Sequence, residues 1–196
     1  MFLFGAGTLE GDDISHNLLP KFSDDHYTTP FRTTREMRKM VIEVAAYGWQ
    51  GGQWDAFYPE DIPAEWRLDF YGNEFFAVVA PWEAWRREDD EELLEWQGQV
   101  SDDFRFYWEL PQSDEGAAAE RLQSLRENDE FAAHWGGRLD KVSQLRIEAP
   151  LELRALRQAV EGAIGPAEES LLVVVEPAAA DCLRSARDIA LLLGGG

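Results

Sequence analysis

Three glutamates, Glu109, Glu148 and Glu176, stand at or beside the ends of β-patterned runs, Phe104–Leu110, Val142–Glu148 and Leu171–Glu176. In α/β folds the carboxyl ends of the strands are where sites assemble. Carboxylates that converge there supply hard oxygen ligands for Mg²⁺ or Mn²⁺, or divide into a general acid and a general base. Glu83 follows a further run and belongs to the same group. Composition offers a competing account. Of 196 residues, 38 are Asp or Glu, so some acids fall at strand ends by chance and serve as solvated or helix-capping groups. No metal site and no cofactor follow from these residues alone; Mg²⁺ or Mn²⁺ is an option they leave open.

Aromatic residues form a second candidate set. The chain has eight tryptophans, and Trp49, Trp54, Trp82, Trp85 and Trp108 lie on or beside strand-end loops, with Tyr58 in the first of these loops. Indole and phenol faces stack on sugar rings or other flat ligands. The same rings also fill cores and cover sheets. Trp49, Trp54, Tyr58, Trp82 and Trp108 are therefore candidates for holding a small-molecule ligand. Other chemistries lack their parts. His134 is the sole histidine after residue 40, which leaves zinc without a ligand set. Cys182 has no histidine near it in sequence and reads as a core thiol. No G-x-S-x-G, P-loop or G-x-G-x-x-G occurs, and Gly51-Gly52 is too little for a phosphate loop.

The net charge of −20 repels phosphate backbones, so nucleic acid is not an expected partner. Only three of eighteen bases are lysine, and an acidic, lysine-poor surface is also what a salt-rich cytoplasm favours. No apolar run approaches the roughly 18 residues of a membrane span, and the single cysteine fits a reducing, cytoplasmic setting.

These groups need a scaffold to position them. Residues 1–39 mix Gly, Asp, Ser, Thr and Pro without period and are nearly neutral, so they read as a poorly ordered leader. Residues 40–196 carry almost all the net charge and read as one α/β domain. Strands are expected at Val41–Tyr47, Phe75–Ala80, Phe104–Leu110, Val142–Glu148 and Leu171–Glu176. Helical patterns fall at Ala64–Asn73, Glu88–Gln99, from a capping Asp114 toward Trp135, at Leu151–Ala163 and at Ala179–Leu193. That gives five βα units of about 31 residues, the length of such a unit. Helical crossovers imply parallel pairing. A complete eight-unit barrel takes about 250 residues, so the expectation is an open sheet or a partial TIM-barrel-like fold.

Within this series, Tyr47-Gly48-Trp49, Gly52-Gln-Trp54-Asp-Ala-Phe57-Tyr58-Pro59 and Arg67-Leu68-Asp-Phe70-Tyr71-Gly-Asn73 form a distinctive aromatic succession. It resembles the opening of the YecE-like family (domain of unknown function 72), which is similar to TIM-type barrels. Phe75–Pro81, Asp103–Glu109 and Val174–Ala179 stand where that family has its second, third and fifth strands. The resemblance implies a barrel-like fold over about residues 41–178. It also shows what has changed. Val79 and Pro81 replace the family's Glu and Asn, Glu109 replaces its Lys, and no Arg-His pair follows Val175. With those polar groups gone, the resemblance implies a divergent, shortened relative acting as a non-catalytic binding or interaction domain. The alternative is a residual metal-dependent or acid/base enzyme on a sugar-like or phosphorylated small molecule, using Glu176, Glu148 and Glu109. An open sheet leaves unpaired edges, so a homodimer or a protein partner that covers them is also expected.

Overall fold

A computed structural model describes residues 40–167 and 169–194. The leader expected over residues 1–39 lies outside the described residues. The first β-branched run forms β1 (Val41–Tyr47), and the apolar runs after it form β2 (Ala77–Ala80), β3 (Arg105–Trp108) and β6 (Ser170–Val175). Two short strands, β4 (Trp135–Arg138) and β5 (Gln144–Ile147), complete a six-stranded sheet of order β4-β3-β2-β1-β6-β5. Every adjacent pair is parallel. The order follows a βα barrel opened between β4 and β5: a curled half-barrel.

Two features differ from the sequence reading. The first is β4, which stands where a helix toward Trp135 was expected. Its Gly136 and Gly137 disguise it, since glycine is depleted in strands. Both have a reason to be there: a Cβ on Gly136 would lie 2.9 Å from the Tyr107 ring and 3.0 Å from the Phe106 carbonyl, and Gly137 has φ 141°. The other is the place of β6, which follows four earlier strands of the sequence pattern yet lies inside the sheet, between β1 and β5. Residues Val41–Ala46 of β1 pair with Ser170–Val175 of β6, so the outer strands are β4 and β5.

Helices α1 (Arg67–Gly72), α2 (Trp82–Trp85), α3 (Asp90–Gly98), α4 (Glu115–Leu125), α5 (Asp129–Ala133), α6 (Leu153–Ile164) and α7 (Ala180–Leu192) lie between or after the strands. Asp89 caps α3 by accepting from the Glu92 amide, and acids fill the first turn, where the helix dipole favours them. Asp114 has φ 62° and makes no side-chain cap, contrary to its expected role. Asn128 instead caps a new helix, α5, by accepting from the Glu130 and Phe131 amides.

The two faces of the sheet bury different things. Outward residues such as Ile42, Ala46, Val78, Phe106, Trp108 and Val173 join one large core with the helices. Ala45, Ala77, Val79, Tyr107, Leu172 and Val174 make a small inner cluster, closed by Leu139 and Val142 from the β4–β5 link. β1 and β2 share only two registered pairs. The buried Tyr71 hydroxyl bridges their divergence: it accepts from the Ala46 amide at 3.3 Å and donates to the Ala77 carbonyl at 2.8 Å. Burial pushes that phenol above its usual titration range.

Candidate functional site

Side chains alternate across a strand, so Glu43, Ala45 and Tyr47 of β1 share the inner side with Tyr107 of β3, and Arg146 of β5 is in register with Val174. Continuing that parity past the strand ends adds Glu109, Glu148 and Glu176. Two tyrosine–glutamate pairs tie β1 to the β3 segment across β2. The deeper is the Tyr107 hydroxyl donating to Glu43 Oε2. The outer, at the carboxyl ends, is the Tyr47 hydroxyl donating to Glu109 Oε2 at 2.6 Å. Burial raises the Tyr107 phenol above its usual range, and the Glu43 charge adds to the effect. Tyr47 is raised as well, first by burial and then by the hydrogen bond and charge of Glu109. Both phenols therefore stay protonated and act as donors.

Arg146 completes the mouth. Its guanidinium lies 5.5 Å from the centre of the Tyr47 ring, its Nη1 donates to Glu176 at 2.8 Å, and its Nε donates to Gln144 Oε1 at 3.3 Å. Glu109 and Glu176 are thus brought to opposite sides of a Tyr47–Arg146 centre. Neither carboxylate is idle, because Glu109 also accepts from the Trp82 amide at 3.0 Å. Glu148 is exposed and makes no hydrogen bond or ion pair with the described residues. Among the described residues, no group of three or more His, Cys, Asp or Glu is placed to hold a metal ion.

The aromatic candidates divide by burial. Trp54 and Trp108 are closed off in the core at 0% and 1% exposure. Trp108 packs between Trp85, Trp96, Phe106 and Phe131. Trp54 and Tyr58 build the loop after β1: the Trp54 indole donates to the Gly48 carbonyl at 3.2 Å, and the Tyr58 hydroxyl donates to the Trp49 carbonyl at 2.6 Å. Trp49 is buried edge-on to Trp96. Trp82 alone of the five is half-buried, set edge-on to Trp85 at 4.6 Å.

A cleft of about 310 Å³ opens at the carboxyl ends of β1 and β2, lined by Tyr47, Trp49, Gln50, Gln53, Pro81 and Glu83. Gly48 lines it with φ 78°, and Gly51 lies between the lining residues Gln50 and Gln53 with φ 102°, a region that glycine enters without strain. A Cβ on Gly51 would lie 2.8 Å from Gln53 Oε1, so the glycine leaves room for that amide. A larger recess of about 570 Å³ lies between α1 and α7, but its Arg184 is bound to Glu74 and Asp181.

Sequence reasoning singled out the carboxylates Glu109 and Glu176 and missed their partners Tyr47 and Arg146, along with Gln50 and Gln53. A signal for the first two existed. Period-two parity puts Tyr47 on the Glu43 side of β1 and Arg146 two residues before Glu148. The glutamines carry no periodic signal, because they sit in a turn.

No protein-family model and no curated protein matches the sequence. Among solved structures the fold is similar to a DUF72 family protein from Thermotoga maritima, at 12% identity and a TM-score of 0.47, over 78% of this chain and 97% of that one. It comes from the family that the aromatic succession after Tyr47 resembles.

Proposed function

We propose that this chain is a binding domain without a reaction of its own, which takes a small molecule in the cleft at the carboxyl ends of β1 and β2. The observation that supports this is the commitment of the carboxylates. Glu109 is held by the Tyr47 hydroxyl and the Trp82 amide, and Glu176 is held by Arg146. Each is pinned through its Oε2 to donors of the same chain, so the scaffold sets its position, and a hard cation needs several carboxylates turned toward one point. On the inner face Tyr107, Leu139 and Val142 pack together.

One observation favours the residual enzyme as a second reading: Glu109 and Glu176 do converge around Tyr47 and Arg146, an arrangement able to shift protons if a ligand displaced one partner. Ligand-observed NMR on mixtures of small metabolites separates the two. The binding reading expects saturation transfer to a ligand whose resonances are unchanged after prolonged incubation. Product resonances that vanish in Glu109→Gln or Glu176→Gln would replace it with the enzymatic reading. We also propose that any protein partner or second copy meets the sheet at β4 or β5, where backbone groups lack a strand neighbour. Sedimentation as a monomer, with β4 and β5 amides protected from exchange, would remove that extension.

A further inference from the structure

Every charged group bordering the carboxyl-end cleft already has a partner from the same chain. Glu83 accepts from Arg86 at 2.7 Å, Glu109 accepts from Tyr47 and Trp82, and Arg146 donates to Glu176. Among the described residues, no lysine, arginine or histidine lines the cleft. A phosphorylated ligand would find no cation there and would approach a chain of net charge −20. Glu83 and Glu109 are each engaged through Oε2 alone, so their charge does not exclude a cationic ligand.

The uncharged groups are what remain. Tyr47 has spent its hydroxyl on Glu109, and Arg146 lies over its ring, so it offers the cleft remaining ring surface only. Gln53 Nε2 donates to the Gln50 carbonyl at 3.0 Å, which leaves Gln53 Oε1 as an acceptor. The Gln50 side-chain amide makes no hydrogen bond with the described residues, so both its donor and its acceptor are available. Two amides beside an aromatic wall match vicinal hydroxyls, which donate and accept at once, on a ring whose C–H face stacks.

From this we infer that the cleft takes an uncharged polyhydroxylated ring, a neutral sugar unit, and disfavours phosphorylated sugars. The inference rests on the binding reading above and names the ligand class of that same site.

The test is saturation-transfer NMR on the full chain with methyl glycosides of neutral hexoses and glucose 6-phosphate as probes. It compares the wild type with the Gln50→Ala/Gln53→Ala double variant. Both glutamines are exposed, so the variant folds, and circular dichroism melting checks that it does. The expected result is transfer to a neutral glycoside, weaker by about 10-fold or more in the variant, as loss of two hydrogen-bonding amides requires. Three results overturn the ligand class while leaving the binding reading intact: no transfer to any neutral glycoside, equal or stronger binding of glucose 6-phosphate, or neutral-sugar binding indifferent to the double variant. Conversion of a probe to product overturns the binding reading itself.

Discussion

The two faces of this sheet solve the same burial problem in opposite ways. The outer face lays Phe106, Trp108 and their neighbours against seven helices and gathers most of the core, including Trp54, Trp85 and Trp96. The inner face buries only a small cluster and closes it with residues from a five-residue link, Leu139–Ser143, aided by two tyrosine–glutamate pairs. A wide apolar face stabilises the fold. On the narrow face, closed by Leu139 and Val142, the described cleft opens at the rim.

The sharpest way to break this comparison is to hollow each face in turn. Trp108→Ala should cost about 3–5 kcal/mol and Leu139→Ala about 2–3, both read from urea midpoints. Equal losses would mean that the inner cluster carries as much of the fold as the aromatic core. Gly136→Ala drives a methyl into the Tyr107 ring and the Phe106 carbonyl and should cost about 1–3 kcal/mol. A neutral outcome would show that β4 is free to shift.

The tyrosines sharpen the contrast further. Tyr71→Phe strands a buried amide and carbonyl between β1 and β2, for about 1–3 kcal/mol. Tyr107→Phe exposes only a part-buried Glu43 to water and should cost about 0.5–1.5 kcal/mol. Reversal of that order would put the structural weight on the inner pair.

Titration probes both faces together. Tyr47 and Tyr107 on the inside, and Tyr58 and Tyr71 on the outside, all have phenols raised above the usual value, chiefly by burial. The unfolded chain releases these protons near pH 10 while the folded chain holds them. The unfolded state then binds fewer protons, and stability falls as pH rises past about 10, by up to about 1.4 kcal/mol per pH unit for each tyrosine. Denaturation midpoints flat from pH 9 to 11 would contradict this. Tyr47→Phe should shallow the slope by about one tyrosine's share, the smallest change in the set.

Much of the fold was legible because strong signals coincided. Val41–Tyr47 and Leu171–Glu176 are β-branched and apolar, lie between turn residues, and emerge within a residue of where the pattern puts them. The helix after Pro63 and the acid-capped α3 were legible for similar local reasons. β4 was not, because Gly136 and Gly137 answer to the Tyr107 ring, which comes from another strand. The pairing of β6 with β1 is likewise a tertiary event that no local window contains. At the rim, the acids were easy to find and their engagement was not. Whether Glu109 is a free base or a hydrogen-bonded brace depends on Tyr47 and on the Trp82 amide, each from a different segment.

The union of β1 with β6 also governs how such a molecule comes into being. Among the described strands, β1, the earliest in sequence, has its longest ladder with β6, the latest. Until Ser170–Val175 has been synthesised, β1 holds only a two-pair ladder to β2, and its other edge stays open. The sheet therefore cannot close around β1 until β6 is made, and a nascent chain stalled before residue 170 presents a naked apolar strand to whatever chaperone or neighbour is nearby.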